Sequence, residues 1–404
     1  MPSLTIQIFI GLGLGVLLGA VAPEFATSIK PLADIFLRMI KMIIAPLLFS
    51  TLVVGIAGTG DVKSMGRIGL KAMVYFQIGA VISLVLGLTL VNVFQPGAGV
   101  QIAADVAPDL SSMAQRQQSG WDIVLHMFPT SVFDAMARGD ILQVVIFASF
   151  FGVALATLGE TGRPVTEFFE GVAQVMFRFT ALVMRFAPIG VFAAIAATVG
   201  GKGLAILLTL GKLVLVMYAG LIIFLFVVIG GVALIIRVPF FTFLRAIREP
   251  FVIAFTTASS EAALPKALEV MERFGVPRNI VGFVLPTGYS FNLDGSTLYL
   301  SIASIFVAQL AGIELTLGQQ LLMMVTLMLT SKGVAGVPRG ALVVLTAALT
   351  TFGLPLEGAA ILLGIDQVLD MGRTAINVTG NCLATAVVAR WEGVLDDSKI
   401  EAFR

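Results

Sequence analysis

The chain has 404 residues, 58% hydrophobic and only 12% charged, against about a quarter charged in ordinary soluble domains. Its mean hydropathy of +1.02 identifies a polytopic membrane protein, and its net charge of +1 supplies no basic field for nucleic acid. One cysteine (Cys382) and one histidine (His126) exclude disulfide frameworks and multi-residue Cys/His metal sites, so neither a cofactor nor a firm metal site is expected.

Near the N-terminus, Ala20, Val21 and Ala22 imitate a signal-peptide cleavage pattern. No Lys or Arg precedes the apolar run, however, and we expect a retained first transmembrane helix. At about 20 apolar residues per crossing, helices are expected near 4–22, 31–57, 66–95, 140–159, 164–199 and 203–236. The stretch from Gln95 to Asp140 carries Gln101, Asp105, Asp109, Gln115, Gln117 and Gln118, and reads as an extramembrane excursion. His126 lies within it as a loop or interfacial residue. With the N-terminus cytoplasmic, thirteen Lys/Arg fall inside (Lys63, Arg67, Lys71, Arg163, Arg237, Arg245, Arg248, Lys266, Arg273, Arg278, Arg390, Lys399, Arg404). Four fall outside (Lys30, Arg116, Arg138, Lys202), so both termini should be cytoplasmic.

This count requires two later segments to enter the membrane without crossing it. Residues 250–271 are broken by Thr256, Thr257, Ser259, Ser260, Glu261 and Pro265. Residues 320–350 are broken by Ser331, Lys332, Gly333, Gly336, Pro338, Arg339 and Gly340. Pro and Gly disrupt a continuous helix and free backbone groups that need partners. Both segments read as re-entrant hairpins, and each precedes a helix with a polar interruption. The first is followed by Asn292, Leu293, Asp294, Gly295 and Ser296. After the second comes an apolar stretch, roughly Ala359 to Ala389, carrying Asp366, Asp370, Arg373, Asn377 and Asn381 at steps of 4, 3, 4 and 4. At about 100° per residue these five fall within roughly 80° of one helix face. Such paired, interrupted segments point to an inverted-repeat transporter with its site near the bilayer midplane.

Ionised groups at that depth must be offset, and the stripe points at a solute. Arg373 offers a planar donor fork suited to a carboxylate, or it pairs structurally with Asp366 or Asp370; the spacing leaves both open. Asp370 is placed to take an ammonium, and Asn377 to donate to a second carboxylate. An acidic amino acid fits all three. Ser259 and Ser260, with Gly333, Gly336 and Val337, could offer hydroxyls and backbone groups at the hairpin tips, or simply permit close packing. The carbonyls exposed beside Asp294 form an oxygen-rich setting suited to a small hard cation. An intramembrane hydrolase using Ser259 or Ser260 lacks an evident base, and a channel fits poorly with hairpins built for occlusion. A non-enzymatic carrier is therefore expected.

At these residues the chain resembles the dicarboxylate/amino acid:cation symporter (glutamate transporter) family, most closely its bacterial proton/glutamate symporters. The strings are RMIKMIIAPLLF (38–49), FQPGAGV (94–100), TTASSEAALP (256–265), PTGYSFNLDGSTLY (286–299), SKGVAGVP (331–338) and GIDQVLDMGRTAINVTGN (364–381), in the family's order along the whole chain. The resemblance implies an all-α fold of eight transmembrane helices plus two re-entrant hairpins, assembled as a homotrimer in the lipid of a bacterial inner membrane. Residues 1–236 would be mainly scaffold and trimerisation helices, with the third and sixth helices moving with the transport domain. Residues 237–392 would form the core of that mobile, elevator-like domain, and 393–404 a cytoplasmic tail.

The resemblance also assigns roles. Arg373 would hold the substrate side-chain carboxylate, Asp370 and Thr374 the amino group, and Asn377 the main-chain carboxylate. Ser259, Ser260, Ser296, Gly336 and Val337 would complete the enclosure. Relatives that carry C4-dicarboxylates lack the carboxylate at Asp370, and neutral-amino-acid relatives lack Arg373, so glutamate or aspartate is the expected substrate. In sodium-coupled relatives an aspartate stands at Asn381, and hydroxyl residues stand at Gly79 and Ala80. Gly288, Asn292, Asn377 and Asp294 remain, but cannot replace the lost charge and ligands. Proton coupling is therefore expected, with sodium-coupled uptake or a C4-dicarboxylate carrier as the alternatives. Leu300 replaces the glutamate of vertebrate members, which leaves Glu261, Asp294 and Asp366 as proton-carrier candidates. Arg339 stands where relatives commonly have glycine, and nothing in the sequence explains it.

Overall fold

The computed structural model describes residues 4–57, 64–99, 128–138, 141–330, 340–401 and 403, apart from some side chains within helices, that of Glu261 among them. The described residues form helices and no strand. The first half contains α1 (Leu4–Val21), α2 (Pro23–Ser28), α3 (Lys30–Ala57), α4 (Ser64–Phe94), α5 (Val132–Arg138), α6 (Ile141–Thr157), α7 (Arg163–Met184), α8 (Ala187–Lys202) and α9 (Ala205–Ile223). A π-helical turn (Phe224–Ile229) joins α9 to α10 (Gly230–Ile235). The second half contains α11 (Phe240–Ala246), α12 (Arg248–Thr257), α13 (Ser260–Arg273), α14 (Arg278–Phe291), α15 (Asp294–Leu310), α16 (Leu317–Thr330), α17 (Gly340–Thr351), α18 (Glu357–Leu363), α19 (Asp366–Glu392) and α20 (Asp397–Glu401).

Three stretches among the described residues are long and apolar enough to cross a bilayer: Arg67–Phe94, Ile206–Ile235 and Arg278–Leu310. On the second of these, Leu208, Leu215 and Ile222 are exposed at intervals of seven residues. An outward apolar seam of that kind suits lipid and would be a liability in water. The expected single helix over 164–199 is instead two, α7 and α8, bent by 50°. Pro188 is the cause. It has no N–H, and its ring would meet the carbonyl four residues back inside a continuous helix, so the chain breaks and Pro188 enters the first turn of α8. The stretch 359–389 is likewise divided, at Gly364 and Ile365, between α18 and α19. Asp366 consequently opens α19, where the helix dipole favours a carboxylate.

Two packing neighbourhoods organise these helices. In one, α3 lies against α6, α7 and α8, and α8 against α1 and α2. Phe49, Phe147, Phe151 and Phe169 knit α3, α6 and α7 with ring centroids 5.4–6.2 Å apart. In the other, α19 is the axis, surrounded by α4, α9, α12, α13, α14 and α15. Helix α17 touches both α15 and α3.

The two interrupted segments differ in how much of them is described. In the first, α12 and α13 pack on each other and on α19, joined through Ala258 in the left-handed region (φ +50°). Extended Ser259 then caps α13, its Oγ accepting from the Ala262 N–H at 3.3 Å. The second consists of α16 and α17. Its expected tip, with Ser331, Lys332, Gly333, Gly336, Val337, Pro338 and Arg339, lies outside the described residues, as do Gln101 to Gln118 and His126.

Candidate functional site

The centre of the second neighbourhood is the gap between α14 and α15. Asn292 and Leu293 leave helical geometry there (φ −127°, ψ 75° and φ −108°, ψ 61°), so the end of α14 and the start of α15 lack intrahelical partners. Side chains of α19 supply them. Asn377 Oδ1 accepts from the N–H groups of Gly295 (2.8 Å) and Ser296 (3.3 Å), and its Nδ2 donates to Ser296 Oγ at 3.0 Å. One turn further on, Asn381 Nδ2 donates to the Asn292 carbonyl at 3.2 Å, while Asn292 Nδ2 donates to Asn381 Oδ1 at 3.1 Å. Two glycines permit the approach. A Cβ at Gly295 would collide with the backbone of Arg373, and one at Gly288 with Asn381 Oδ1.

Arg373 has no solvent exposure, and Asp366 and Asp370 are 0% and 4% exposed. Its Nε donates to Asp370 Oδ1 at 2.7 Å and its Nη1 to Asp366 Oδ1 at 2.9 Å. Thr374 Oγ1 donates to the same Asp370 oxygen at 3.2 Å. The Tyr299 ring covers the guanidinium, with its centroid 4.4 Å from Cζ. Arg373 Nη2 has no hydrogen-bond partner among the described residues. The centre therefore holds two carboxylates on one guanidinium and a charged donor ready for another acceptor. An unmade bond at such a buried donor is costly.

Asp294, 3% exposed, opens α15. A Cβ added at Gly79 on α4 would meet its Oδ1 at 2.8 Å, and one at Gly380 on α19 its Oδ2 at 2.9 Å. Ala80 and Leu300 are buried. Ser260 is buried at the first turn of α13, a helix that packs on α19, whereas Ser259 serves its own turn as the cap. Asn292 is fully buried, and its Oδ1 has no hydrogen-bond partner among the described residues. The structure thus brings together Asp366, Asp370, Arg373 and Thr374, and separately Asn292, Ser296, Asn377 and Asn381. Gly336 and Val337, with the Glu261 side chain, lie outside the described part.

Sequence reasoning missed Tyr299. Its signal was present, since it stands three residues after Ser296 and so shares that residue's helix face.

A family model described as the sodium:dicarboxylate symporter family matches residues 4–391. The proton/sodium-glutamate symport protein of Geobacillus stearothermophilus is 46% identical over 401 residues, covering 97% of this chain and 95% of the relative. The proton/glutamate-aspartate symporter of Escherichia coli (strain K12) is 45% identical over 417 residues, covering 99% of this chain and 95% of the relative. A C4-dicarboxylate transport protein of Bacillus subtilis (strain 168) is 42% identical over 405 residues, covering 99% and 96%.

Proposed function

The chain belongs to the sodium:dicarboxylate symporter family, and from that premise we propose that it is a secondary active transporter that couples uptake of glutamate or aspartate to protons. The observation that carries the reading is the buried guanidinium of Arg373, held by Asp370 and Asp366, whose Nη2 has no hydrogen-bond partner among the described residues. A substrate side-chain carboxylate completes that fork. The ammonium goes to Asp370, whose Oδ1 already accepts from Thr374. The second N–H of Asn377 Nδ2, beyond the one given to Ser296, donates to the main-chain carboxylate. A C4-dicarboxylate has no ammonium, so Asp370 speaks for an amino acid.

Ser260 would line the first tip, and Gly336 and Val337 would close the second. Proton coupling is supported by what fills the gap between α14 and α15, where Asn381 presents an amide in place of a carboxylate. The proton then travels on a buried carboxylate, Asp294, Asp366 or Glu261 being the candidates. In this reading α4, α9 and α10 move with α11–α19 as the transport domain, since α4 and α9 pack on α19 and α10 continues α9 through the π-helical turn. Helices α1–α3 and α5–α8 form the scaffold of a homotrimer in the inner membrane, and the protein has eight crossings, two re-entrant hairpins and cytoplasmic termini. The exposed Gln174 and Arg178 on α7, with Arg185 just beyond its end, suit contact with a second copy better than lipid.

Reconstitution in liposomes tests the proposal. Labelled glutamate should accumulate under an imposed pH gradient without sodium. Uptake that ignores the pH gradient and needs a sodium gradient would sink the proton assignment.

A further inference from the structure

We infer that the corner where α10 turns into α11 and α12 is a docking surface for anionic phospholipid of the cytoplasmic leaflet: Arg237 and Arg248 meet the phosphates, and exposed apolar side chains lie among the acyl chains. The inference rests on reading this corner as the cytoplasmic end of its helices, and adds a lipid partner away from the polar centre.

The end of α10 closes with a Schellman motif. The Val238 N–H donates to the Ala233 carbonyl at 2.8 Å, and the Arg237 N–H to the Leu234 carbonyl at 3.0 Å. Arg237 takes the left-handed position of this motif (φ +57°), where glycine is the usual residue because a Cβ is strained there. An exposed arginine stands in its place. Arg248 is set against its backbone too, since it opens α12, where the helix dipole repels a cation. Backbone preference disfavours both residues, and positive charge is what each adds.

Elsewhere on this face Arg67, Lys71, Lys266, Arg273, Arg278 and Arg390 each belong to an ion pair. Arg237 and Arg248 have none among the described residues. The acidic residue nearest to either in sequence, Glu249, is held by Lys266 at 3.2 Å, and Arg245, between them, donates to the Phe403 carbonyl at 3.3 Å.

The surface between these cations is apolar. Ile235 in the last turn of α10 is 81% exposed and Phe241 on α11 73%, so no other part of the chain covers them. A run of rings leads from Phe226 in the π-helical turn through Phe240 (5.8 Å) to Phe241 (5.5 Å). On the inner side of α11, buried Phe243 packs on Phe274 at 5.9 Å. Apolar side chains beside guanidinium groups match an acidic lipid at both of its ends. A small anion would use only the cations, and a zwitterionic lipid offsets its phosphate with its own ammonium.

The test places a reporter at the corner of the full-length protein. Phe241→Trp is reconstituted in dibrominated phosphatidylcholine, whose bromines quench tryptophan, and unbrominated phosphatidylglycerol or phosphatidylcholine is titrated in, with the fluorescence of the unaltered protein subtracted. Phosphatidylglycerol should relieve quenching the more strongly, by about fivefold for each guanidinium, and salt should shrink the preference. Adding R237G should leave the melting temperature no lower, because glycine fits the left-handed position, yet remove about fivefold of the preference; adding R248Q should abolish the rest. Equal relief by both lipids, or a preference that survives both substitutions, would overturn the inference. So would a reporter that brominated lipid does not quench, since another protein surface would then cover the corner, or a preference abolished by inorganic phosphate at constant ionic strength, the mark of a small-anion site. If the combined variant does not fold, the titration of F241W and its salt dependence decide alone. No substrate or gradient enters the measurement, so its failure is distinguishable from failure of the symport reading.

Discussion

Helix α19 carries charge at both ends, and the two ends work differently. At its start, Asp366, Asp370 and Arg373 are at most 4% exposed, and both carboxylates meet the one guanidinium. At its finish, Glu392 meets Arg67 and Lys71 of α4, the latter at 2.7 Å, and Arg390 grips Asp397 through both terminal nitrogens. The finish sets three cations against two carboxylates and is partly solvated. Lys71 also caps the Trp391 carbonyl, and Arg390 Nε donates to the Ile236 carbonyl, so this end fastens α19 to α4 and to the end of α10. Exposed pairs contribute little individually, because water already serves each partner. Buried ones cost several kcal/mol per ion unless fully satisfied, and breaking one is correspondingly severe. In the proposed reading the buried end receives the ligand, and the partly solvated end is where the helix is anchored.

That contrast is sharpest at Arg373. Arg373→Ala leaves two buried carboxylates without their cation, at about 3–5 kcal/mol. Labelled glutamate uptake in liposomes should fall to background, and uptake near wild type would break the comparison. Asp370→Ser removes the proposed ammonium partner, a charge-assisted bond of about 1.5–3 kcal/mol. Apparent affinity for glutamate should fall about 10- to 100-fold, with a smaller effect on competition by a C4-dicarboxylate. Equal losses for both ligands would rule out the ammonium role. Tyr299→Leu withdraws the ring from the guanidinium, and a desolvated cation–π contact of up to about 2 kcal/mol predicts roughly tenfold weaker binding. Unchanged affinity would make Tyr299 a packing residue only.

The smallest effect belongs to the other end. Hydrogen bonds from Lys71 and then Arg67 hold the Glu392 carboxyl below its usual range. A lowered folded-state pKa gives stability that is complete above the unfolded value of about 4.3, and lost as pH falls through the folded value. Glu392→Gln should lower the melting temperature slightly at neutral pH, and its difference from wild type should shrink as pH falls below the unfolded value of about 4.3 and vanish once pH lies below the folded one. A difference that persists in acid would mean that packing, rather than charge, fastens this end.

Much of the architecture is legible in local sequence. Pro265, Ser259 and Ser260 mark the first interruption, and the structure breaks at Ala258 and Ser259. Asn292 to Ser296 mark the second, and the helix breaks at Asn292 and Leu293. The bend at Arg185 and Phe186 was missed because the apolar residues on either side outweigh Arg185, although Pro188 offered the cue. The stripe was read as one face of one segment. Its five residues do share a face of α19, but they divide by partner: Asp366, Asp370 and Arg373 turn to one another and to Tyr299, while Asn377 and Asn381 cap the broken helix.

By itself the sequence determined the membrane class, the places where helices must break, and the one-sided spacing of the polar residues. Each of these follows from hydropathy, proline and glycine chemistry, or the 3.6-residue period, and all act within a few residues. Only the tertiary structure decided which group answers which. Asn292 and Asn381 are 89 positions apart, Ser296 and Asn377 81 apart, and they meet because Gly295 lets α15 cross against the backbone of Arg373. No local signal encodes such a meeting, because a buried polar group takes its partner from whatever the packing of other helices brings within reach.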